Sequence, residues 1–221
     1  MAAVLFAQQR PDSQILSELQ KRIGPSTGVS ISVPNGVVTL SGTTTSLARK
    51  MSIVNMARRT IGVQNVVDRI TVAPAVKRSD SQIANDVRQA LSSNLSADDR
   101  KAIDVSVQDS VITLAGTLPS SYPKQLAGVL AGNVAGAVDV KNNIVVKPSE
   151  PVTDAQILTE VTLRFSQNPI IPASQIAVTV NGGVVTLSGT VSAFVQADQA
   201  ESVARFAPGV VDVRNLLFVK G

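Results

Sequence analysis

The chain has 221 residues, 44% hydrophobic and 16% charged, with a net charge of +4 and an isoelectric point near 9.7. That balance suits a folded globular protein and excludes a disordered one. With neither cysteine nor histidine, disulfides and thiolate chemistry are excluded, and the commonest general base and metal ligand is missing.

Met1 to Ala7 is short and apolar and ends Leu5-Phe6-Ala7. It resembles the end of a secretory signal with its small-residue cleavage position; a frayed N-terminus is the alternative. It is too short to span a bilayer, and no later segment has the length and apolarity to do so. From Ser13 to Ile23, Ile15, Leu16, Leu19 and Ile23 fall at helical spacing, with Glu18 early and Lys21 and Arg22 late. This predicts an amphipathic helix whose charges suit its dipole. After Gly24-Pro25 the period changes to two: Val29, Ile31 and Val33 alternate with serines, and Pro34-Asn35-Gly36 turns the chain into Val37 to Ser41, a hairpin pattern. Val38, Leu40 and Gly42 share a face of the second strand, so Gly42 is expected to point to the buried side and admit the next helix closely. That helix is predicted from Ser46 to Ile61, stopped by Gly62. A last strand runs from Asn65 to Val72, with Val66, Ile70 and Val72 on one face.

The pattern occurs three times. Val37-Val38-Thr39-Leu40-Ser41-Gly42 returns as Val111-Ile112-Thr113-Leu114-Ala115-Gly116 and Val184-Val185-Thr186-Leu187-Ser188-Gly189. A second glycine, Gly62, Gly136 or Gly209, follows twenty residues later, and a valine, Val72, Val146 or Val219, thirty residues later. The first helices of the later repeats are predicted at Ser81 to Leu91 and Asp154 to Phe165, and their hairpin turns at Asp109-Ser110 and Asn181-Gly182-Gly183. The second and third repeats carry about six and five extra residues, around Ser93 to Ala102 and Gln167 to Gln175. The fold class is therefore α+β: three tandem αββαβ modules, each a small three-stranded mixed sheet with two helices on one face. The expected division is a signal remnant or flexible N-terminus at 1–12 and repeats at 13–72, 81–146 and 154–219, joined by proline-containing linkers at 73–80 and 147–153.

The αββαβ order, the hairpin ending in V-x-L-x-G, and the later Gly209-Val210-Val211-Asp212-Val213-Arg214-Asn215 resemble the BON domain. The first repeat departs from this pattern, with Asp68 where an Asn usually closes it. BON domains are found in bacterial envelope and periplasmic proteins and are thought to bind phospholipid or other envelope partners. The resemblance implies a non-enzymatic envelope protein, located in the periplasm or cell envelope if the N-terminus is a signal remnant and otherwise cytoplasmic. It supplies no catalytic residues and implies no cofactor or metal.

Charge is concentrated in the first repeat. Residues 13–78 hold nine Lys and Arg against two acids, a net +7, whereas residues 79–150 come to −2 (six against eight) and 151–221 to −1 (four against five). An anionic partner would meet the first repeat. Alignment of the repeats on their glycines pairs Ile53 with Ala127 and Ala200, Met56 with Leu130 and Val203, and Ala57 with Ala131 and Ala204, which marks the core-facing stripe of the second helix. Leu47, Met51 and Val54 lie on another face, with Lys50 and Arg58 on the same side and Arg49 and Arg59 flanking. Only the first repeat is apolar at all three positions. This face is the candidate site: it either lies on an anionic phospholipid surface, apolar groups shallowly inserted and cations at the headgroups, or packs against the second or third repeat or a protein partner.

Other constellations carry less. Asp98, Asp99, Asp104 and Asp109 match no calcium-loop spacing and read as solvated acids. Asn94-Leu95-Ser96 matches a glycosylation triplet as readily by chance as by use. Tyr122, the one tyrosine, reads as a rim or linker packing residue, and no serine has a visible activator. Nucleic-acid binding is not expected: aromatics are 3%, mostly at core-like positions such as Phe165 and Phe206, and no GXXG loop joins two helices. The functional expectation is a non-enzymatic module contacting anionic membrane surfaces, with a periplasmic adaptor or chaperone-like protein as the alternative.

Overall fold

The computed structural model describes residues 10–24 and 27–220. The apolar segment at residues 1–7, read as a signal remnant or terminus, lies outside them. The first repeat contains α1 (Asp12–Ile23), β1 (Val29–Ser32), β2 (Val37–Thr44), α2 (Leu47–Arg58) and β3 (Asn65–Val72). The second contains α3 (Asp80–Asn94), a short α4 (Ala97–Lys101), β4 (Ile103–Gln108), β5 (Val111–Leu118), α5 (Ser121–Gly132) and β6 (Asp139–Val146). In the third are α6 (Asp154–Gln167), a 3-10 turn (Ala173–Gln175), β7 (Ile176–Asn181), β8 (Val184–Val191), α7 (Phe194–Arg205) and β9 (Asp212–Val219). The extra residues of the later repeats are thus α4 and the 3-10 turn, both placed between first helix and hairpin.

Each repeat has its own three-stranded sheet, with β2, β5 or β8 in the centre. The hairpin partner is antiparallel and the last strand parallel, so α2, α5 or α7 serves as the crossover that parallel pairing requires. Alternation sends Val38 and Leu40 inward against Ile15, Leu19, Ile53, Ala57 and Ile70, and the same positions build the two other cores. Phe165 is buried as expected, but Phe206, expected in a core, is 49% exposed because it caps the end of α7.

An acid at the start of each first helix fixes the hairpin. The Asp12 carboxylate accepts from the Asn35 and Gly36 backbone N–H groups at 2.7 and 2.8 Å. Asp80 accepts in the same way from Asp109 and Ser110, and Asp154 from Gly182 and Gly183. All six turn residues have positive φ, the mirror-image turn that suits strand twist. The carboxylates thus hold the two N–H groups that the tight turn leaves pointing outward.

Two expectations about glycines are corrected. Gly42 does not make room for a helix: its φ is +130°, and a Cβ there would lie 2.1 Å from the carbonyl oxygen of Gly28, the residue ahead of β1. Gly116 and Gly189 stand in the same relation to Ala102 and Gln175. Nor does Gly62 stop α2, which ends at Arg58 with Arg59 as its C-cap. Gly62 lies in the following turn, where a Cβ would meet the Arg10 side chain at 2.9 Å; Gly136 and Gly209 similarly accommodate Arg78 and Val152. The second glycine of each repeat is therefore a slot for the residue two places ahead of the first helix.

Gly116→Val should destabilise the protein by about 3 kcal/mol or more, since the backbone conformation is nearly forbidden to branched residues and the carbonyl cannot move without breaking the hairpin register; urea unfolding measures it. Asp80→Ala should cost about 1.5 kcal/mol through the lost charge-assisted bonds to the turn, seen as faster amide exchange at Asp109 and Ser110.

Candidate interaction surface

Ser46 starts α2 by accepting the Arg49 backbone N–H on its hydroxyl. One stripe, Ile53 and Ala57, faces the first repeat's own core, and Val54 joins it there. Leu47 points elsewhere: it is 5% exposed and belongs to the core of the second repeat, with Met51 and Val72 packed beside it. The Met51 sulfur sits over Gly132, where a Cβ would be only 2.8 Å away. The expected membrane-inserting face is therefore occupied within the chain, because Leu47 and Met51 fill a gap in the second repeat and Val54 fills one in the first. Leu47 and Val54 are buried, and Met51 is partly buried against the second repeat.

The cations of the same helix divide into two groups. The Lys50 ammonium donates to the Ile70 carbonyl at 2.8 Å and pairs with Asp68 at 3.2 Å. Asp68 occupies the position of Asn142 and Asn215, whose side-chain N–H groups donate to the carbonyls of Lys124 and Ala197, the residues equivalent to Lys50. A carboxylate cannot donate, so in the first repeat the strand-to-helix link is made by Lys50 instead. Arg59 pairs with Asp198 of α7 at 2.7 Å. Arg49 and Arg58 are exposed, with no ion-pair partner among the described residues.

These contacts belong to a cyclic pattern. Leu47, Ser121 and Phe194 are equivalent, each five residues beyond the first glycine of its repeat. Leu47 enters the second repeat. Ser121, 3% exposed, donates its hydroxyl proton to the carbonyl oxygens of Val210 and Val211 in the third, at 2.7 and 3.2 Å. Next to it the Tyr122 ring meets Phe206 with centroids 4.9 Å apart, the rim packing expected of this tyrosine. Phe194 lines a cleft whose other wall is Arg58, Val63, Gln64, Asn65 and Val66 of the first repeat. The starts of α2 and α5 thus rest on the next repeat, while the third returns to the first across this cleft and through Arg59–Asp198: the repeats close head to tail. Position 51 shows the same cycle, with Met51 meeting Gly132 and its equivalent Asp198 meeting Arg59.

Sequence reasoning missed Asp198, Ser121 and the Lys50–Asp68 exchange. Asp198 stood aligned with Met51, and Asp68 stood out as a departure from Asn, but neither position names a partner by itself. Elsewhere, Asp98 and Asp99 fall in the first turn of α4, with Asp99 accepting the Ser96 hydroxyl proton at 2.7 Å. No helix among the described residues is long and apolar enough to cross a membrane.

Leu47→Ala should lower stability by about 2–4 kcal/mol through the cavity left in the second repeat. Methyl chemical shifts of Ile83, Val87 and Leu114, rather than those of the first repeat alone, should move in that variant.

Comparison with known proteins agrees with the threefold repeat. The family model described as the BON domain matches residues 11–74, 79–148 and 153–221. Osmotically-inducible protein Y of Escherichia coli (strain K12) is 32% identical over 149 residues, which cover 64% of this chain and 73% of that protein. Two solved structures of CdsD, a structural protein of the type III secretion system of Chlamydia trachomatis, align at 16% and 15% identity over 93% and 94% of this chain and 96% and 91% of theirs. Their TM-score is 0.26, too low to indicate a shared overall arrangement. With all three αββαβ repeats matched, the chain belongs to the BON domain family.

Proposed function

We propose that this chain is a non-enzymatic binding protein of the bacterial envelope or periplasm, acting in osmotic or envelope stress, that touches anionic phospholipid surfaces through the cations of its first repeat. Membership of the BON family and the likeness to Osmotically-inducible protein Y support the setting. The observation that carries the mode of contact is the division within α2: Arg49 and Arg58 are exposed while Leu47 and Met51 are packed against the second repeat. Contact is therefore peripheral and electrostatic, with guanidinium groups at the headgroups and no inserted apolar wedge. Exposed Arg69 and Lys77 extend the same positive field.

A second reading, a periplasmic protein-interaction or chaperone-like adaptor without lipid affinity, is favoured by one feature. Leu216 and Phe218 are 66% and 49% exposed on β9, an edge strand, and face away from the helices of the third repeat.

Cosedimentation with neutral and anionic vesicles separates the two. Binding should require anionic lipid and fade between low and physiological salt. Arg49→Ser with Arg58→Ser should weaken it about 30-fold, at about 1 kcal/mol per basic residue, whereas Phe218→Ser should leave it unchanged. No binding to either vesicle would move the assignment to the adaptor.

A further inference from the structure

The three head-to-tail junctions use equivalent positions but are held by different forces. At the first, Leu47, Met51 and Val72 pack into the second repeat's core. At the second, a buried hydroxyl bonds to the Val210 carbonyl at 2.7 Å beside the Tyr122–Phe206 ring pair. The third has neither. Phe194 folds back on its own repeat's core, and among the described residues none of the third repeat belongs to the core of the first. A cleft of about 260 Å³ remains between them, with Arg58, Val63 and Val66 on one wall and Phe194, Glu201 and Leu217 on the other. The direct bond across it is Arg59–Asp198, whose side chains are 57% and 45% exposed. It is also the junction that no linker spans. Residues between β3 and α3 tie the first repeat to the second, and those between β6 and α6 tie the second to the third.

We propose that the junction between the third and first repeats is an ionic-strength-sensitive latch, closed at low salt and opening as salt rises to uncover Phe194, Val63, Val66 and Leu217. An exposed ion pair is worth about 0.2–1 kcal/mol and is weakened by salt. The wider attraction between a first repeat of net +5 (residues 13–72) and a third of net −2 (residues 154–219) decays over a Debye length of about 10 Å at 0.1 M salt and about 3 Å at 1 M. Apolar burial and a buried neutral hydrogen bond have no such dependence, so the first two junctions hold while the third lets go. Arg58 and Glu201, on opposite walls of the cleft, add to the salt-sensitive attraction, although Glu201 is also held by Arg205 at 2.7 Å. Apart from Arg58, which lines the cleft and also belongs to the set proposed to meet headgroups, the latch stands independently of the membrane reading.

The absence of native cysteine allows clean labelling. Donor and acceptor dyes go on Ile61→Cys with Val195→Cys to flank the third junction, and on Ser52→Cys with Val129→Cys to flank the first. Energy transfer across the third junction should fall as sodium chloride rises from about 0.02 to about 1 M, while transfer across the first stays constant. In the same labelled chain, Arg59→Ala should raise the open fraction at low salt about 1.5- to 5-fold, and Arg59→Asp combined with Asp198→Arg should restore closure. Transfer across the third junction that ignores both salt and Arg59→Ala would overturn the latch. So would a parallel fall at both junctions, which would signify general loosening.

Discussion

Everything in each repeat is hung on a crossing of two backbones. The carbonyl of the residue ahead of the first strand occupies the space where a side chain would leave the central strand, so that strand must carry glycine there, at Gly42, Gly116 and Gly189. The crossing sets the hairpin register, Val29 opposite Gly42 and its counterparts, and the register decides which side chains face the helices. Thr43 bonds back to the same Gly28 carbonyl at 3.2 Å, so the oxygen that forbids a side chain also ties the strands. A one-residue slip would put the core valines and leucines into water.

From that fixed sheet the helices follow. The crossover places α2, α5 and α7 over the buried face, and their small shared residues Ala57, Ala131 and Ala204, all fully buried, let them lie close to it. The starts of α2 and α5 meet the next repeat, and such contacts add buried surface to modules whose own cores are thin. Leu47 contributes to a core that its own repeat does not contain.

The repeats, the strand faces and the αββαβ order were legible because alternation, helical spacing and recurring glycines are local signals. The bounds of β3, β6 and β9 follow from them directly. What stayed hidden depends on contacts far apart in the chain. The apolar face of Leu47 and Met51 was visible, but periodicity does not say whether a lipid or a neighbouring repeat covers it. α2 has apolar residues on two faces because it serves two cores, while Arg49 and Arg58 on it stay exposed. Gly62 was misread for a related reason: its slot receives Arg10, a contact across the fold that mimics a helix stop in sequence. The charge count also overstated the free cations of α2, because Lys50 and Arg59 are paired with acids 18 and 139 residues away.

The exchange of Asn for Asp at position 68 reaches beyond the bond it replaces. The second repeat has the pair Lys124 with Asn142, and there the amide bonds the helix backbone, leaving the lysine's ammonium out of the link. In the first repeat the carboxylate recruits the ammonium into the fold itself. One nitrogen-for-oxygen exchange thereby transfers a lysine from surface chemistry to architecture. A sequence averaged over the three repeats would place Asn at 68 and release Lys50, changing the electrical character of the most basic repeat while leaving its backbone path intact.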